Sequence, residues 1–411
     1  MTEKLLIIGN GMASVRLCEE LAAHAPGRFE TTVVGAEPRP GYNRVLLSAL
    51  LAGDIGRDGI NLRDEAWYGA QGIRLITGQT VTGLDPAART AHLANGTALS
   101  FDRVVLATGS SAIRLPIPGM TLPGVMTFRD LADLPALQEA ARLNRRIAVI
   151  GGGLLGIEAA YGLAKGGAKV TLVHVMDRLM ERQLDRRTAA FLKRAVERKG
   201  IRVMLNAQTQ EVAGEGRAQA LLFADGSHLP VDMVVVAVGV RPNLGLAKSA
   251  DLPVSRGILV DDGLATVVPF IHAIGECAEH RGQVYGLVEP AYEQARVLAR
   301  RWGGDTKAAY EGTALSTNLK VSGIPVFSAG DFLGEGNDDI LLEDRGAGLC
   351  KRLVLKDNRL IGAAMVGEAE DAVWYKDLIR RGSDISAIRE SLIFGRAFCE
   401  TAPSRVLREA A

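Results

Sequence analysis

Short apolar runs alternate with glycine turns and helical stretches along most of the chain. Residues 4–8 are apolar and β-branched towards their end, which predicts a buried parallel strand. A glycine turn follows, then a helical stretch to about His24 and a second strand over residues 30–34. Glu37 comes 28 positions after Gly9, the first glycine of the turn. Strand, glycine turn, helix, strand and a spaced acid together predict a dinucleotide-binding unit.

The same pattern recurs 142 positions later, where residues 146–150 predict a strand, 157–166 a helix and 169–173 another strand. This spacing is too long for a solenoid repeat and favours two mononucleotide-binding folds. Further apolar runs, each leading into a glycine, predict strands over residues 102–109, 232–238 and 271–274.

After about residue 313 the pattern changes. Residues 320–328, 351–355 and 359–366 predict antiparallel strands, with a turn at Asp357-Asn358. Helical segments are predicted over residues 370–381 and 384–394. This region is therefore predicted to be a smaller α+β domain.

The two glycine turns point to chemistry as well as fold. A glycine turn at a helix start directs backbone N–H groups and the positive end of the helix dipole at a pyrophosphate. Two such turns imply two dinucleotides, and a flavin with a nicotinamide is the economical pairing because hydride can pass between their rings. Ser14 stands where the third glycine of the first turn is usual, and its small side chain should be tolerated.

Composition excludes several other classes of protein. The 411 residues carry 48 Lys plus Arg against 47 Asp plus Glu, so a general nucleic-acid binder is disfavoured. The apolar runs are shorter than the roughly 20 residues of a membrane helix, and no signal peptide is predicted before the first strand. Four cysteines stand far apart, at positions 18, 277, 350 and 399, which predicts no disulfide framework and no metal site. A reducing, cytoplasmic setting is expected.

An ordered set of motifs resembles the FAD-dependent pyridine-nucleotide oxidoreductases over about residues 1–313. The set comprises the first glycine turn, Glu37, Ala107-Thr108-Gly109, the second glycine turn with Glu158, Gly239-Val240-Arg241-Pro242-Asn243 and Ile274-Gly275-Glu276. Other strings resemble the flavoprotein part of NADH-dependent assimilatory nitrite reductase large subunits and nitrate/nitrite reductase electron-transfer subunits, to about residue 395. They are Tyr42-Asn43-Arg44-Val45-Leu46-Leu47-Ser48, Leu179-Met180-Glu181-Arg182-Gln183-Leu184-Asp185, Gly275-Glu276-Cys277-Ala278-Glu279-His280 and Leu319-Lys320-Val321-Ser322-Gly323.

The resemblance implies an α/β fold with two Rossmann-like domains, for FAD and NAD(P), and the smaller C-terminal α+β domain. The FAD domain is expected at residues 1–112 and 240–313, the NAD(P) domain at 113–239 and the C-terminal domain at 314–411. FAD would be bound through Gly9, Gly11, Ser14, Glu37, Arg44, Ser48, Val81, Ala107, Thr108, Gly109, Gly275, Glu276 and a helix starting near Pro290. NAD(P) would be bound through Gly151, Gly153, Gly156, Glu158, His174 and Gly239, with Glu158 as the catalytic residue near the nicotinamide.

Two positions depart from the family pattern. Ala49 replaces a lysine that many ferredoxin-reductase relatives carry after the serine. His174 replaces the acid that usually binds the ribose 2′-hydroxyl, and Asp177 and Arg178 follow it. The resemblance favours NADH, and NADPH is not excluded.

The positions of the cysteines indicate where the electrons go. Relatives that reduce disulfides or peroxides need a cysteine near the flavin, and residues 38–50 contain none. Electrons should therefore pass singly to an external redox centre. The resemblance implies that this centre belongs to a ferredoxin- or rubredoxin-like carrier, or to the catalytic subunit of a nitrite or nitrate reductase. The alternatives are an NADH-dependent rubredoxin or ferredoxin reductase of another system and an NADH-sensing flavoprotein without turnover. A homodimer is the candidate assembly.

Three further residues, Cys277, Cys399 and His280, are not expected to act as redox or proton-relay groups. Cys277, next to Glu276, is expected to be a small packed hydrophobe rather than a redox thiol. Cys399 is expected to be a surface or lightly packed thiol, and His280 a solvated loop histidine.

Overall fold

The computed structural model describes residues 2–313 and 316–401. Its helices are α1 (Met12–His24), α2 (Leu47–Leu51), α3 (Glu65–Ala70), α4 (Leu134–Arg142), α5 (Leu154–Lys165), α6 (Arg186–Glu197), α7 (Gly245–Ser249), α8 (Val288–Trp302), α9 (Ala372–Arg381) and α10 (Arg396–Thr401). Its strands are β1 (Glu3–Ile8), β2 (Phe29–Val34), β3 (Arg74–Ile76), β4 (Val81–Asp85), β5 (Thr90–Leu93), β6 (Ala98–Ser100), β7 (Arg103–Leu106), β8 (Ser110–Ala112), β9 (Val125–Thr127), β10 (Arg146–Ile150), β11 (Lys169–Val173), β12 (Arg202–Met204), β13 (Thr209–Ala213), β14 (Ala220–Phe223), β15 (His228–Pro230), β16 (Met233–Val236), β17 (Val240–Pro242), β18 (Ile258–Val260), β19 (Ile271–Ala273), β20 (Ala278–His280), β21 (Gln283–Val284), β22 (Ser316–Val321), β23 (Ile324–Gly330), β24 (Asp338–Asp344), β25 (Leu349–Lys356) and β26 (Arg359–Val366).

The chain divides into two compact units. The first unit holds the chain up to Leu50, Asp54–Ala112 and Val240–Thr313. The second unit holds Leu51–Gly53, Ile113–Gly239 and the described residues after position 313. The finer assignment of residues 314–411 to a domain of their own stays a prediction, and residues 402–411 of it lie outside the described part.

The first unit is built on a five-stranded parallel sheet with the strand order β19-β7-β1-β2-β3. The apolar run at the start of the chain forms its central strand, and Leu5 to Ile8 are buried because both faces of the sheet are covered. Helices α1 and α8 contribute Leu17 and Leu298 to the core on one face. The small antiparallel sheet β4-β5-β6 contributes to the core on the other face.

The second unit repeats this architecture with a five-stranded sheet of order β12-β11-β10-β16-β9, in which every pairing is parallel. It also contains a five-stranded antiparallel sheet of order β22-β23-β26-β25-β24. The core of the region after position 313 includes Phe327, Leu353 and Met365 from this sheet and Tyr375 from α9. The predicted fold class, two Rossmann-like domains and a smaller α+β region, is confirmed.

The C-terminal region differs in detail from the expectation. The single strand predicted over residues 320–328 is two strands, because Ser322 and Gly323 turn the chain with φ of 51° and 80°. Strand β24 was not predicted, since acidic residues at both its ends obscure a short apolar centre. The helix predicted over residues 384–394 is wrong: two short 3-10 turns, Ser386–Ile388 and Leu392–Phe394, lie there. The turn at Asp357-Asn358 is confirmed, and both residues have positive φ.

Within the described residues, no helix combines the length and the apolar character that a membrane crossing requires.

Asp185 provides a test of how α6 begins. Its carboxylate accepts hydrogen bonds from the Arg187 N–H at 2.8 Å and from the Thr188 hydroxyl at 2.7 Å, so it caps the helix. We expect Asp185→Ala to lower the free energy of unfolding by about 1–2 kcal/mol, because the cap is lost. Asp185→Asn should retain most of the stability in urea unfolding followed by circular dichroism. Equal losses in the two variants would contradict the capping role.

Candidate dinucleotide-binding sites

The first glycine turn joins β1 to α1 in the first unit. Gly9 has φ of +110°, and a Cβ there would stand 2.1 Å from the Ala107 carbonyl oxygen, so no side chain fits. Gly11 caps α1, and no heavy atom of the described residues lies within 4 Å of the place where its Cβ would be. The helix start therefore offers backbone N–H groups beside an open space. This is the arrangement that binds a pyrophosphate.

Ser14 explains how the first turn tolerates its departure from the glycine pattern. The residue is fully buried, and its hydroxyl donates a 2.7 Å hydrogen bond to the Gly9 carbonyl oxygen. The side chain thus ties the first turn of α1 to the loop that precedes it, and the hydroxymethyl group is accommodated without an unsatisfied polar atom.

The second glycine turn, in the second unit, has the same construction. Gly151 has φ of +126°, and a Cβ there would stand 2.2 Å from the Ala237 carbonyl oxygen. Gly153 caps α5 and, among the described residues, has nothing within 4 Å of its absent Cβ. A Cβ on Gly156 would stand 1.9 Å from the Gly151 carbonyl oxygen. The helix is therefore packed too closely here for the serine that the first turn carries.

Glu37 and Arg44, both predicted to bind FAD, lie together in the structure. The Glu37 carboxylate forms an ion pair with Arg44 and accepts a 2.9 Å hydrogen bond from the Tyr42 hydroxyl. The Glu37 carbonyl accepts from the Gly78 N–H at 2.9 Å, which brings the segment before Val81 beside it. Val81 begins β4, whereas Ser48 lies on α2.

A second group of predicted residues meets at the carboxyl ends of β7 and β19. The Glu276 carboxylate accepts a 2.6 Å hydrogen bond from the Ser110 hydroxyl. The Thr108 hydroxyl donates to the Asn243 carbonyl at 3.0 Å, and the Asn243 amide donates to the Thr108 carbonyl at 2.8 Å. Sequence reasoning missed Ser110 and the role of Asn243, although Asn243 belongs to a quoted motif. Ala107 and Gly109 flank Thr108 in the same loop.

Gly275 is held against the starts of two helices in the first unit. It has φ of +79°, and a Cβ there would stand 3.0 Å from the Ala13 side chain at the start of α1. Its N–H donates a 2.7 Å hydrogen bond to the buried Gln294 side chain of α8. Helix α8 begins at Val288, close to the start expected near Pro290, which is its third residue. Proline is tolerated there because the first helical N–H groups lack intrahelical partners.

His174 follows β11 and is buried, with both ring nitrogens close to protein groups. Its Nδ1 accepts a 3.0 Å hydrogen bond from the Gly152 N–H, and its Nε2 lies 3.0 Å from a Glu181 carboxylate oxygen. Both ring nitrogens of His174 are thus engaged with protein groups, and the imidazole braces the glycine turn. Its predicted part in nucleotide binding stays a prediction.

The two remaining predicted residues of the second unit are Glu158 and Gly239. Glu158 is half-buried on α5, two residues after Gly156. Gly239 has φ of +114°, and its carbonyl accepts a 3.0 Å hydrogen bond from the Ile113 N–H.

The cysteines and His280 are buried. The Cys277 thiol lies 3.3 Å from the carbonyl oxygens of Leu106 and Ile274, and burial raises its pKa. Cys277 is thus packed as predicted, but the expectation of a surface or lightly packed Cys399 is wrong. The expectation of a solvated His280 is also wrong, since its ring is 1% exposed and lies 2.8 Å from Asp262. Hydrogen bonds from Arg281 and His280 lower the pKa of Asp262 to about 2.

Comparison with known proteins gives consistent matches along the chain. The family model of pyridine nucleotide-disulphide oxidoreductases matches residues 3–295, and that of the rubredoxin NAD+ reductase C-terminal domain matches residues 316–383. A nitrite reductase (NAD(P)H) of Bacillus subtilis strain 168 is 44% identical over 385 residues, covering 93% of this chain and 48% of the relative.

Two other proteins extend the comparison. The assimilatory nitrate reductase electron transfer subunit of the same organism is 41% identical and covers 95% of this chain and 51% of the relative. The chain thus spans about half the length of both Bacillus relatives. The crystal structure of the ferredoxin reductase for the CYP199A2 system from Rhodopseudomonas palustris superposes with a TM-score of 0.83 at 29% identity, covering 95% of this chain and all of that one.

The contrast between Ser14 and Gly156 can be tested by exchange. We expect Gly156→Ser to weaken NAD+ binding at least about tenfold, because the new Cβ would meet the Gly151 carbonyl and displace the turn. FAD content, read from the visible absorbance, should be retained because FAD is predicted to bind the other turn. Ser14→Ala serves as the reciprocal control and should leave NAD+ binding unchanged. Unimpaired NAD+ binding by Gly156→Ser would contradict the steric argument.

The buried state of Cys277 predicts its reactivity. Burial raises the thiol pKa, so less thiolate is present at pH 8 than on an exposed cysteine. We expect native Cys277 to react with iodoacetamide on the order of 100-fold more slowly than after unfolding in urea. Mass spectrometry of the digested protein locates the label. Rapid labelling of native Cys277 would show an accessible, reactive thiol.

Proposed function

Since the chain belongs to the pyridine nucleotide-disulphide oxidoreductase family, we propose that it is an FAD-dependent NAD(P)H oxidoreductase that passes electrons to an external redox centre. The family membership confirms the resemblance that the motifs indicated. The observation that carries the proposal is that both units contain a glycine turn with the same geometry. In each, free space adjoins the start of the following helix. The rest of the proposal concerns what each turn binds and where the electrons leave.

The first turn fits the pyrophosphate of FAD. Gly9 and Gly11 leave the space that phosphate oxygens need. The hydrogen bond from the Ser14 hydroxyl to the Gly9 carbonyl oxygen holds the turn against α1. In this proposal Glu37 binds a hydroxyl of the adenosine ribose, and Glu276, held by Ser110, binds a hydroxyl of the ribityl chain. Helix α8 would direct its positive end towards the reduced ring and stabilise negative charge there.

The second turn fits the pyrophosphate of the nicotinamide dinucleotide. Gly151 and Gly153 repeat the geometry of the first turn, and Glu158 lies on the helix that begins at this turn. We propose that Glu158 is the catalytic residue near the nicotinamide ring. Bound FAD accepts two electrons as hydride from the nicotinamide and can release them one at a time.

No thiol lies on the proposed electron route. Relatives that reduce disulfides or peroxides need a reactive cysteine near the flavin, and residues 38–50 contain none. All four cysteines of the chain are unpaired and buried. The Cys277 thiol contacts backbone carbonyls, and its raised pKa disfavours the nucleophilic thiolate. Single-electron delivery to a metal centre of a partner is the remaining route.

We propose that the partner is the catalytic part of a nitrite or nitrate reductase, because the two Bacillus relatives carry those names and align with nearly the whole chain. A second candidate is a ferredoxin or rubredoxin in another system. Two findings support it. The superposition covers the whole of the Rhodopseudomonas ferredoxin reductase, and residues 316–383 match the family model of the rubredoxin NAD+ reductase C-terminal domain. The unpaired cysteines favour a reducing, cytoplasmic setting, and a homodimer remains the candidate assembly.

Stopped-flow spectroscopy tests this function on the FAD-loaded protein. We expect NADH to bleach the flavin absorbance, and ferricyanide, a rubredoxin or a ferredoxin to restore it over repeated turnovers. Coenzyme A disulfide and peroxide should restore it far more slowly, because no thiol relay is present. The Cys277→Ala variant should match the wild type in both half-reactions.

Three outcomes would contradict parts of the proposal. Failure to bind FAD would remove its foundation. Flavin reduction without reoxidation by any single-electron acceptor would favour a sensor that binds NADH without turnover. Fast reduction of coenzyme A disulfide, lost in Cys277→Ala, would restore a thiol route.

A further inference from the structure

The end of strand β11 carries a histidine where the dinucleotide-binding fold usually places a carboxylate. A backbone N–H can only donate, so the hydrogen bond from Gly152 requires His174 Nδ1 to be the acceptor. The ring proton of the neutral imidazole then lies on Nε2, which faces Glu181 at 3.0 Å. The histidine thus holds a carboxylate near the strand end.

The chain after His174 folds back on the glycine turn and brings Glu181 to this place. The Met180 N–H donates a 2.9 Å hydrogen bond to the Gly152 carbonyl oxygen. Met180 is buried and has φ of +50°, a left-handed conformation that non-glycine residues rarely adopt. The N–H groups of Gln183 and Leu184 both donate to the Met180 carbonyl at 2.8 Å and hold this conformation. The return of the chain is therefore closely specified.

Gly152 is the fixed point of this arrangement. A Cβ there would stand 2.5 Å from the His174 ring and 2.9 Å from Leu179. Its N–H and its carbonyl are both bonded to the returning segment. The position of Glu181 is thus tied to the turn that we propose binds the pyrophosphate.

Two arginines near the strand end, Arg178 and Arg186, are engaged with another carboxylate, that of Asp177. Arg178 forms a 2.9 Å ion pair with Asp177, and its Nε donates to the Leu184 carbonyl at 3.2 Å. Arg186 forms a 2.7 Å ion pair with the same Asp177. Because His174 is neutral in this hydrogen-bond pattern, the negative charge of Glu181 is not balanced by its own partner. A phosphate at the strand end would therefore meet the negative charge of the Glu181 carboxylate.

Two exposed apolar side chains follow His174 directly in the chain. Val175 and Met176, which directly follow His174, are 56% and 43% exposed. Large apolar side chains at a strand end next to a phosphate-binding turn are suited to cover one face of a flat aromatic base.

We propose that Glu181, held by His174, is the specificity-determining residue of the nucleotide site: its carboxylate accepts a hydrogen bond from the ribose 2′-hydroxyl and repels a 2′-phosphate. The nucleotide is then NADH, with its adenine against Val175 and Met176, and His174 is a positioning residue. This inference rests on the proposed nucleotide site in the second unit. The new element is that the acid which binds the 2′-hydroxyl is Glu181, seven positions beyond position 174, where the fold usually carries it.

Isothermal titration with ADP-ribose and with its 2′-phosphate tests the inference without any hydride transfer. We expect the wild type to prefer ADP-ribose by about tenfold or more, since a charge-assisted hydrogen bond is gained and a charge repulsion avoided. Glu181→Gln should weaken ADP-ribose binding about tenfold and leave the 2′-phosphate equally or more tightly bound. Glu197→Gln, an exposed carboxylate on α6 paired with Lys193, is the matched control and should change neither affinity.

His174→Asn separates positioning from general stability. If His174 positions Glu181, this variant loses discrimination between the two ligands, whereas a purely structural role would weaken both equally. Glu181 is partly exposed, so Glu181→Gln tests the inference even if His174→Asn fails to fold.

The outcomes distinguish this inference from the proposed function. Affinities for both ligands within twofold of the wild type in Glu181→Gln would overturn the role of Glu181, while NADH-dependent flavin reduction would still support the oxidoreductase. A wild-type preference for the 2′-phosphate would also overturn it. Binding of neither ligand by the wild type would overturn both the inference and the nucleotide site.

Discussion

Both candidate sites depend on a backbone carbonyl that lies where a side chain would otherwise stand. In the first unit the Ala107 carbonyl approaches Gly9, and in the second the Ala237 carbonyl approaches Gly151, each to about 2 Å from a missing Cβ. This contact lets a strand end, a turn and a helix start crowd together. Because the helix start is then open, its N–H groups face the space that a pyrophosphate needs.

The two turns have the same backbone construction, but only the first has room for a side chain at its third position. In the first, a hydroxymethyl group fits between α1 and the loop, and its hydrogen bond to the Gly9 carbonyl replaces the close packing. In the second, α5 lies against the Gly151 carbonyl with no room for a side chain. The second turn is instead tied from outside, through Gly152, by His174 and Met180. A common sequence motif has thus been stabilised by two different sets of contacts.

Local pattern was enough to predict most of the parallel strands and the glycine turns, because each is encoded within some ten to thirty neighbouring residues. The family resemblance came from an ordered set of motifs spread over about residues 1–313. Local pattern failed where residues distant in the sequence determine the partners or the burial of a side chain. Asn243 and Thr108 are 135 positions apart, and Ser110 and Glu276 are 166 apart, so no local signal joins them. His280 and Cys399 lie in polar stretches and were expected at the surface, yet the surrounding core buries them. Acidic residues at the ends of β24 similarly obscured an apolar strand centre.

The ribbon of β8 and β17 has a consequence for how the chain is assembled. Ala112 is paired with Val240, so the points where the chain leaves and rejoins the first unit are immediate neighbours, and the two hydrogen bonds between Asn243 and Thr108 fasten them. Residues 113–239 are therefore an insertion into the first unit, and the two ends of this insertion lie side by side. The entropy of closing such an insertion grows only with the logarithm of its length. The stability of the first unit is thus nearly independent of how long the inserted segment is, so the length of that segment can change without unfolding the unit that carries it.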